Sequence, residues 1–136
     1  MKKFNYSSFL LMIALASCQP KTPLFSGENA FQYLVEQCNF GPRNPGSEGH
    51  KNALNYYLKT LKSLADTVFT QSFEDEMPRT GIKVSMNNVI AQFNSASSKQ
   101  IMISAHWDTR PWADTGSIMR KNSPILGAND GASGIA

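Results

Sequence analysis

The apolar run at residues 101–103 constrains the fold more than any other feature of the sequence. Ile101, Met102 and Ile103 follow one another with no polar residue between them. A strand with one face in water alternates apolar and polar side chains, whereas an uninterrupted apolar run is typical of the buried centre of an α/β sheet. We therefore expect residues 100–105 to form a strand buried on both faces, in a fold of the α/β class.

Two amphipathic helices and two further strands are expected ahead of this run. Ser26 can cap a helix over residues 28–38, and Ser47 can cap a second helix that extends to about residue 64. Residues 67–73 and 84–93 have the composition of strands, and a turn lies between them. The apolar residues at helical spacing, which we expect to face the core, are Phe31, Leu34, Val35 and Cys38 in the first helix and Leu54, Tyr57, Leu58, Leu61 and Leu64 in the second.

The N-terminus has the organisation of an export signal. A basic start at residues 1–3 precedes a short apolar run at residues 9–16, which is too short to span a bilayer comfortably. Leu15-Ala16-Ser17-Cys18 resembles the lipobox of bacterial lipoproteins, in which the cysteine is lipidated and becomes the first residue of the mature chain. This implies a signal peptide at 1–17, a proline-containing tether at 18–25 and an extracytoplasmic, lipid-anchored protein in the periplasm or at the outer membrane or cell surface. The alternative is an ordinary signal peptide with a chance cysteine.

The charge balance argues against a nucleic-acid partner. Of the 13 basic residues, Lys2 and Lys3 leave with the signal peptide, so eleven basic residues face ten acidic ones and the net charge falls from +3 to +1. No basic stripe remains to bind phosphates. With Cys18 lipidated, Cys38 has no disulfide partner in this chain and is expected to be a buried thiol. The sequence does not specify an oligomeric state.

Two segments carry side chains that could bind a metal or take part in catalysis. His106 and Asp108 follow the expected central strand, where sites of open α/β sheets gather, and Asp108 can accept one ring N–H of His106 while the other nitrogen binds a metal. Asp130 lies among small residues, with Gly127 and Gly131 on either side, where a helix can begin. Taken alone, His106 is typical of a structural histidine and Asp130 of a helix N-cap.

Three motifs in order resemble metallopeptidase family 28, which includes zinc aminopeptidases and glutaminyl-peptide cyclotransferases. Residues 105–114 and 125–134 resemble the first half of that family's zinc site, and residues 40–47 resemble the cyclotransferase branch. The resemblance implies a three-layer α/β/α sandwich with a mixed central sheet, of zinc-aminopeptidase type, whose N-terminal part is residues 26–136. It also implies that the remaining ligands and the general acid–base glutamate lie outside this sequence. The 136 residues alone are then expected to be inactive and to fold poorly.

The resemblance assigns roles to individual residues. Asp130 is expected to be a zinc ligand in either branch, followed by a cis peptide bond. His106 is expected to be a ligand only in a two-zinc site. Asp108 is expected to orient the His106 ring through the ring nitrogen that does not bind the metal. The tryptophans Trp107 and Trp112 are candidates for a substrate-pocket wall, or they cover the end of the sheet.

Four further side chains are expected to have structural roles. Arg43 is expected to fix its loop by bonding carbonyl groups or a carboxylate. His50 is expected at the surface near the start of the second helix. Arg110 and Asp114 are close enough in sequence to form an exposed ion pair, which would contribute little stability.

The activity implied is zinc-dependent cyclisation of N-terminal glutamine in peptides or proteins, with release of ammonia. Peptide or protein N-termini and the membrane, through Cys18, are the expected partners. Two alternatives stay open. A two-zinc aminopeptidase would hydrolyse N-terminal residues, and a non-catalytic lipoprotein would keep the fold as a binding module.

Overall fold

Two helices, an antiparallel hairpin and a C-terminal turn form the regular structure of the residues described by the computed structural model, which are 24–77, 79–113 and 121–136. The elements are α1 (Gly27–Asn39), α2 (Glu48–Lys62), β1 (Thr67–Glu76), β2 (Lys83–Gln92), a wide helical turn (Ala128–Ala132) and α3 (Ser133–Ile135). Helix α1 packs against the Ala128–Ala132 turn, and α2 packs against both strands. None of the described helices is long and apolar enough to cross a membrane.

Both predicted helices begin at the predicted serine caps. The Ser26 hydroxyl oxygen accepts a hydrogen bond from the Asn29 N–H at 3.2 Å, and the Ser47 hydroxyl oxygen accepts one from the His50 N–H at 3.1 Å. Each bond satisfies a backbone donor that has no partner within the helix.

The faces that these helices bury differ from the expected ones. Phe31 is 60% exposed, while Gln37 is 1% exposed. Cys38 is only partly buried. His50, expected at the surface, is buried at 6% exposure because the first turn of α2 packs against Trp107. The buried side of each helix is thus set by polar and aromatic contacts with distant segments rather than by its apolar stripe alone.

The predicted strands form one continuous antiparallel ladder. Their register runs from Thr67 opposite Gln92 to Glu76 opposite Lys83, so β1 extends three residues beyond its predicted end. The Met77 N–H donates to the Ile82 carbonyl oxygen at 2.8 Å and closes the connection. Pro78, within the predicted turn, lies outside the described residues.

The expected central strand at residues 100–105 is wrong for this structure. These residues form no strand, and Ile101, Met102 and Ile103 are 91–92% exposed. A strand needs a neighbouring chain to share its backbone hydrogen bonds. Among the described residues, the only strands are β1 and β2, and they pair with each other.

Arg43 ties the loop between α1 and α2 to the later parts of the chain. Its side chain is fully buried and donates to three backbone carbonyl oxygens, those of Gln37 (3.1 Å), Trp107 (3.0 Å) and Gly127 (3.1 Å). Its backbone N–H donates to the Thr109 hydroxyl oxygen at 2.8 Å, and its carbonyl oxygen accepts from the Thr109 N–H at 3.3 Å. The expectation that Arg43 fixes its loop through carbonyl groups is confirmed.

The same loop lies directly against the first turn of α2 at Gly49. A Cβ atom at this position would lie 2.3 Å from the Pro42 carbonyl oxygen and 2.7 Å from the Phe40 carbonyl oxygen. Only a residue without a side chain permits this approach.

We expect Gly49→Ala to destabilise the intact protein by at least about 2 kcal/mol, because the methyl group would collide with backbone atoms that cannot rotate away. The matched control is Gly27→Ala, also at the start of a helix, where the nearest atom to the new Cβ would be 4.0 Å away. The control should be neutral or slightly stabilising. Urea unfolding midpoints of the two variants measure the difference, and equal midpoints would show that the loop yields to the methyl group.

Arg43→Lys should lower the free energy of unfolding by about 2–4 kcal/mol although it conserves the charge. One ammonium group cannot replace a planar fork that reaches three carbonyl oxygens, so buried acceptors lose their donors. Arg79→Lys is the control, since Arg79 is exposed and its guanidinium lies over the Trp112 ring at 4.7 Å. It should change stability by less than about 1 kcal/mol. The interpretation is wrong if chemical denaturation gives the same loss for both.

Candidate active site

The three side chains predicted to carry the chemistry lie together. The Nε2 atom of His106 is 3.0 Å from Oδ1 of Asp130. Its Nδ1 atom lies 3.2 Å from the backbone carbonyl oxygen of Asp108 and 3.5 Å from the Oδ1 atom of the same residue. Asp108 thus contacts the ring nitrogen of His106 that faces away from Asp130, and its nearer contact is the backbone carbonyl oxygen rather than the carboxylate. The cleft of about 170 Å³ at this place is lined by His106, Asp108, Thr109, Arg110 and Asp130.

Asp130 occupies the middle of a wide turn made possible by two glycines. Gly127 has left-handed backbone angles, and Gly131 has a φ of 102°. The turn is closed by the Ala132 N–H, which donates to the Gly127 carbonyl oxygen at 3.2 Å. The expected cis peptide bond after Asp130 is wrong for this structure, since all described peptide bonds are trans. Because a non-prolyl cis bond costs roughly 3 kcal/mol, the positive φ of Gly131 is the less costly way to reverse the chain.

Gly131 also lets the two site segments approach. A Cβ atom on Gly131 would lie 3.0 Å from the Asp108 carbonyl oxygen and 3.3 Å from Cε1 of His106. The His106 ring thus sits directly over the turn that carries Asp130, and there is no space for a side chain between them.

The contacts of His106 pose an electrostatic question. A carbonyl oxygen only accepts hydrogen bonds, so the Asp108 carbonyl requires a proton on Nδ1. In a neutral ring Nε2 would then present a lone pair to the Asp130 carboxylate, with two acceptors 3.0 Å apart. Either a second proton on the ring or a metal cation shared by the two atoms removes this repulsion. The donor set therefore fits a cation at this position.

Zinc suits these two atoms. Imidazole nitrogen and carboxylate oxygen are common zinc ligands, and catalytic zinc sites take three protein ligands and leave one position open. In a two-zinc site, His106 and Asp130 would supply two of these ligands to one ion. Within residues 24–77, 79–113 and 121–136, no group of three His, Cys, Asp or Glu side chains is placed to hold a metal ion.

Both charged pairs are open to solvent. The exposed fractions of the side chains are 56% for His106, 55% for Asp130 and 47% for Asp108. Ion pairs with this exposure are screened by water and contribute little to stability. The cluster is thus accessible to a ligand, and its position depends on the backbone beneath it.

Neither of the two tryptophans is among the residues that line the cleft. Trp107 stacks on His50 with ring centroids 4.3 Å apart and meets the Tyr57 ring at 5.4 Å. Its indole N–H donates to the Asn87 carbonyl oxygen at 3.1 Å. Trp107 thus packs into the interface between α2 and β2, and the pocket-wall role of Trp107 and Trp112 stays a prediction. Asp114, the predicted partner of Arg110, and Cys18 lie outside the described residues.

Sequence reasoning predicted the burial of Tyr57 but missed the buried polar residues His50 and Gln37. His50, Ala53 and Tyr57 are all buried on one face of α2, at the helical spacing of three and four. This spacing was a usable signal. Burial lowers the pKa of His50, while the negative charge of Asp108 acts in the opposite direction. Gln37 gave no such signal, because an isolated glutamine on a helix is usually at the surface.

The chain is similar to known peptidases and glutaminyl cyclases. Residues 88–136 match the family described as Peptidase family M28. The chain is 37% identical to a glutaminyl cyclase of Bacteroides thetaiotaomicron, with a TM-score of 0.77 over 85% of this chain. It is 32% identical to a Zn-dependent exopeptidase of Parabacteroides distasonis, with a TM-score of 0.77 over 83% of this chain. A glutaminyl-peptide cyclotransferase of Drosophila melanogaster is 30% identical over 69 residues, which is 51% of this chain.

This chain spans 39% of the length of both solved structures and 19% of the Drosophila protein. The likeness confirms the predicted α/β fold class of zinc-aminopeptidase type, which the helices and the antiparallel hairpin represent here. It also confirms the recognised resemblance: residues 88–136 match Peptidase family M28, and the chain is similar to bacterial glutaminyl cyclases and zinc-dependent exopeptidases.

Proposed function

We propose that the intact protein containing this sequence is a zinc-dependent glutaminyl-peptide cyclotransferase. One observation carries the proposal. His106, Asp108 and Asp130 converge on an open cleft in a chain whose relatives include bacterial and insect glutaminyl cyclases. The substrates would be peptides or proteins that begin with glutamine.

The reaction closes a ring within the N-terminal glutamine of the substrate. The free α-amine forms a bond to the carbon of the side-chain amide, the bond from that carbon to the amide nitrogen breaks, and a proton from the amine leaves with ammonia. Zinc, when bound, acts as a Lewis acid towards the amide carbonyl group. Asp130 would hold the metal, and Asp108 fixes the ring of His106 through Nδ1 so that Nε2 faces the same place. The N-terminus of the substrate would enter from the exposed side of the cleft.

A zinc exopeptidase is the second candidate, and one observation favours it. His106 Nε2 lies 3.0 Å from Asp130 Oδ1, close enough for both atoms to bind one cation, as a two-zinc site would require. In that case water rather than the α-amine attacks, and the first peptide bond is cleaved. Two zinc ions per chain would favour this candidate.

We also propose that the intact protein is held at a membrane outside the cytoplasm through a lipid on Cys18. The support is the sequence alone, a short apolar run followed by Leu15-Ala16-Ser17-Cys18.

The decisive assay incubates the zinc-loaded intact protein with a Gln-initiated peptide and follows the product by mass. A product lighter by one ammonia molecule supports the cyclotransferase, and release of free N-terminal residues supports the exopeptidase. The Asp130→Asn substitution tests the metal ligand separately. It should lower either activity by at least about 100-fold and should weaken zinc binding, because a neutral amide is a poor zinc ligand. Asp75→Asn on β1, far along the sequence and exposed, should leave both unchanged. Full zinc binding without either product would favour the binding-module alternative.

Lipidation can be checked with the two cysteines of the chain. Cys18→Ala should abolish incorporation of labelled palmitate and should release the protein from the membrane fraction, because the acyl chains provide the anchor. Cys38→Ala, which changes a half-buried thiol in α1, should keep the label. Label retained in Cys18→Ala would contradict the anchor.

A further inference from the structure

Gln37 makes a buried polar connection between α1, α2 and the turn that carries Asp130. Its side-chain N–H groups donate to the Tyr33 carbonyl oxygen at 3.0 Å and to the Ala132 carbonyl oxygen at 3.2 Å. Its side-chain oxygen accepts from the Tyr57 hydroxyl group at 2.7 Å. Gln37 and Ala132 are both essentially inaccessible to water, so these bonds have no competitor.

The chemistry of the three partners requires an amide at this position. Two of them are carbonyl oxygens, which only accept, so the nitrogen of the amide must face them. Its oxygen then faces the Tyr57 hydroxyl group, which must donate. Burial raises the pKa of Tyr57 to about 12, so the hydroxyl group keeps its proton in the physiological range. A glutamate here would lose both donors and bury a negative charge against two carbonyl oxygens.

Buried side chains therefore form hydrogen bonds to both ends of the Ala128–Ala132 turn, which is called the Asp130 turn below. Arg43 donates to the Gly127 carbonyl oxygen where the turn begins, and Gln37 donates to the Ala132 carbonyl oxygen where it ends. The Asp130 side chain between them is half-exposed, and the contact found for it is with His106. Its place relative to His106 is thus set by the backbone of the turn.

We propose that Tyr57 and Gln37 are positioning residues of the zinc site, acting on Asp130 through the Ala132 carbonyl group. This inference rests on the proposed function insofar as Asp130 binds zinc. Tyr57 fixes the Gln37 amide, the amide fixes the end of the turn, and the turn presents the Asp130 carboxylate to the metal. Neither residue touches the metal or the substrate.

The test uses four single variants of the intact protein and the double variant of Tyr57 and Gln37. Tyr57→Phe removes one hydroxyl group and keeps the ring, and Gln37→Met keeps the approximate shape without the amide. The matched controls are Tyr56→Phe, whose hydroxyl group pairs with Thr60 of the same helix, and Gln32→Met, which is exposed and bonded to Glu28 within α1. For each variant we would measure the zinc Kd by competition with a coloured chelator, the thermal midpoint, and kcat and KM at saturating zinc.

Tyr57→Phe and Gln37→Met should each raise the zinc Kd on the order of 10-fold, the lower end of the range for groups that orient metal ligands. The controls should stay within about two-fold of the wild type. The double variant should be no worse than the weaker-binding single variant, because the Tyr57 hydroxyl group acts only through Gln37. Additive effects of the two substitutions on the zinc Kd would contradict the proposed chain of contacts from Tyr57 through Gln37 to Ala132.

The outcomes separate this inference from the proposed function. If the wild type binds zinc and both site variants keep its Kd, even with a lower thermal midpoint, Tyr57 and Gln37 are merely structural and the inference is overturned. If the wild type binds zinc without cyclising glutamine, the proposed function fails, while the Kd values still decide the inference. If the wild type binds no zinc, both fail.

Discussion

One buried guanidinium group organises the described part of this chain. A charge withdrawn from water is strongly unfavourable unless its hydrogen-bonding capacity is used. Arg43 uses it on three carbonyl oxygens that belong to α1, to the residue after His106 and to the start of the Asp130 turn. Those segments lie up to 84 residues from Arg43 in sequence. The loop between the helices is therefore the junction from which both site segments take their positions.

Gly127 and Gly131 allow the segments that Arg43 connects to pack closely against each other. A Cβ atom on Gly127 would lie 2.5 Å from the Asp130 carbonyl oxygen and 2.5 Å from Cγ2 of Thr109. Gly131 permits the approach of the His106 ring, whose Cε1 atom would lie 3.3 Å from a Cβ atom on Gly131. Small residues in this stretch thus serve close backbone packing, which allows the polar groups behind the site to reach the carbonyl oxygens of the turn.

Local patterns predicted local structure well. The serine caps, the helices and the hairpin depend on residues near one another in the chain, and the sequence contains those signals in full. Burial was predicted poorly, because it depends on partners elsewhere. The 101–103 run needs strands beside it, and Gln37 is buried through Ala132, 95 residues away. His106, Asp108 and Asp130 were singled out through the resemblance of residues 105–114 and 125–134 to a zinc-site family, because their residue types alone favoured structural roles.

The exposed and buried polar groups have complementary tasks. His106 and Asp130 sit in water, where their attraction contributes little to stability, and both ring nitrogens of His106 face acceptor oxygens. Such a pair is held together only when a cation, a proton or a metal, lies between the two atoms. A proton there would make an ordinary ion pair, whereas a metal would need ligands that are preorganised and open on one side. The buried hydrogen bonds of Arg43 and Gln37, which water cannot reach, fix the backbone of the turn that carries Asp130, while the side chains of His106 and Asp130 stay open to solvent.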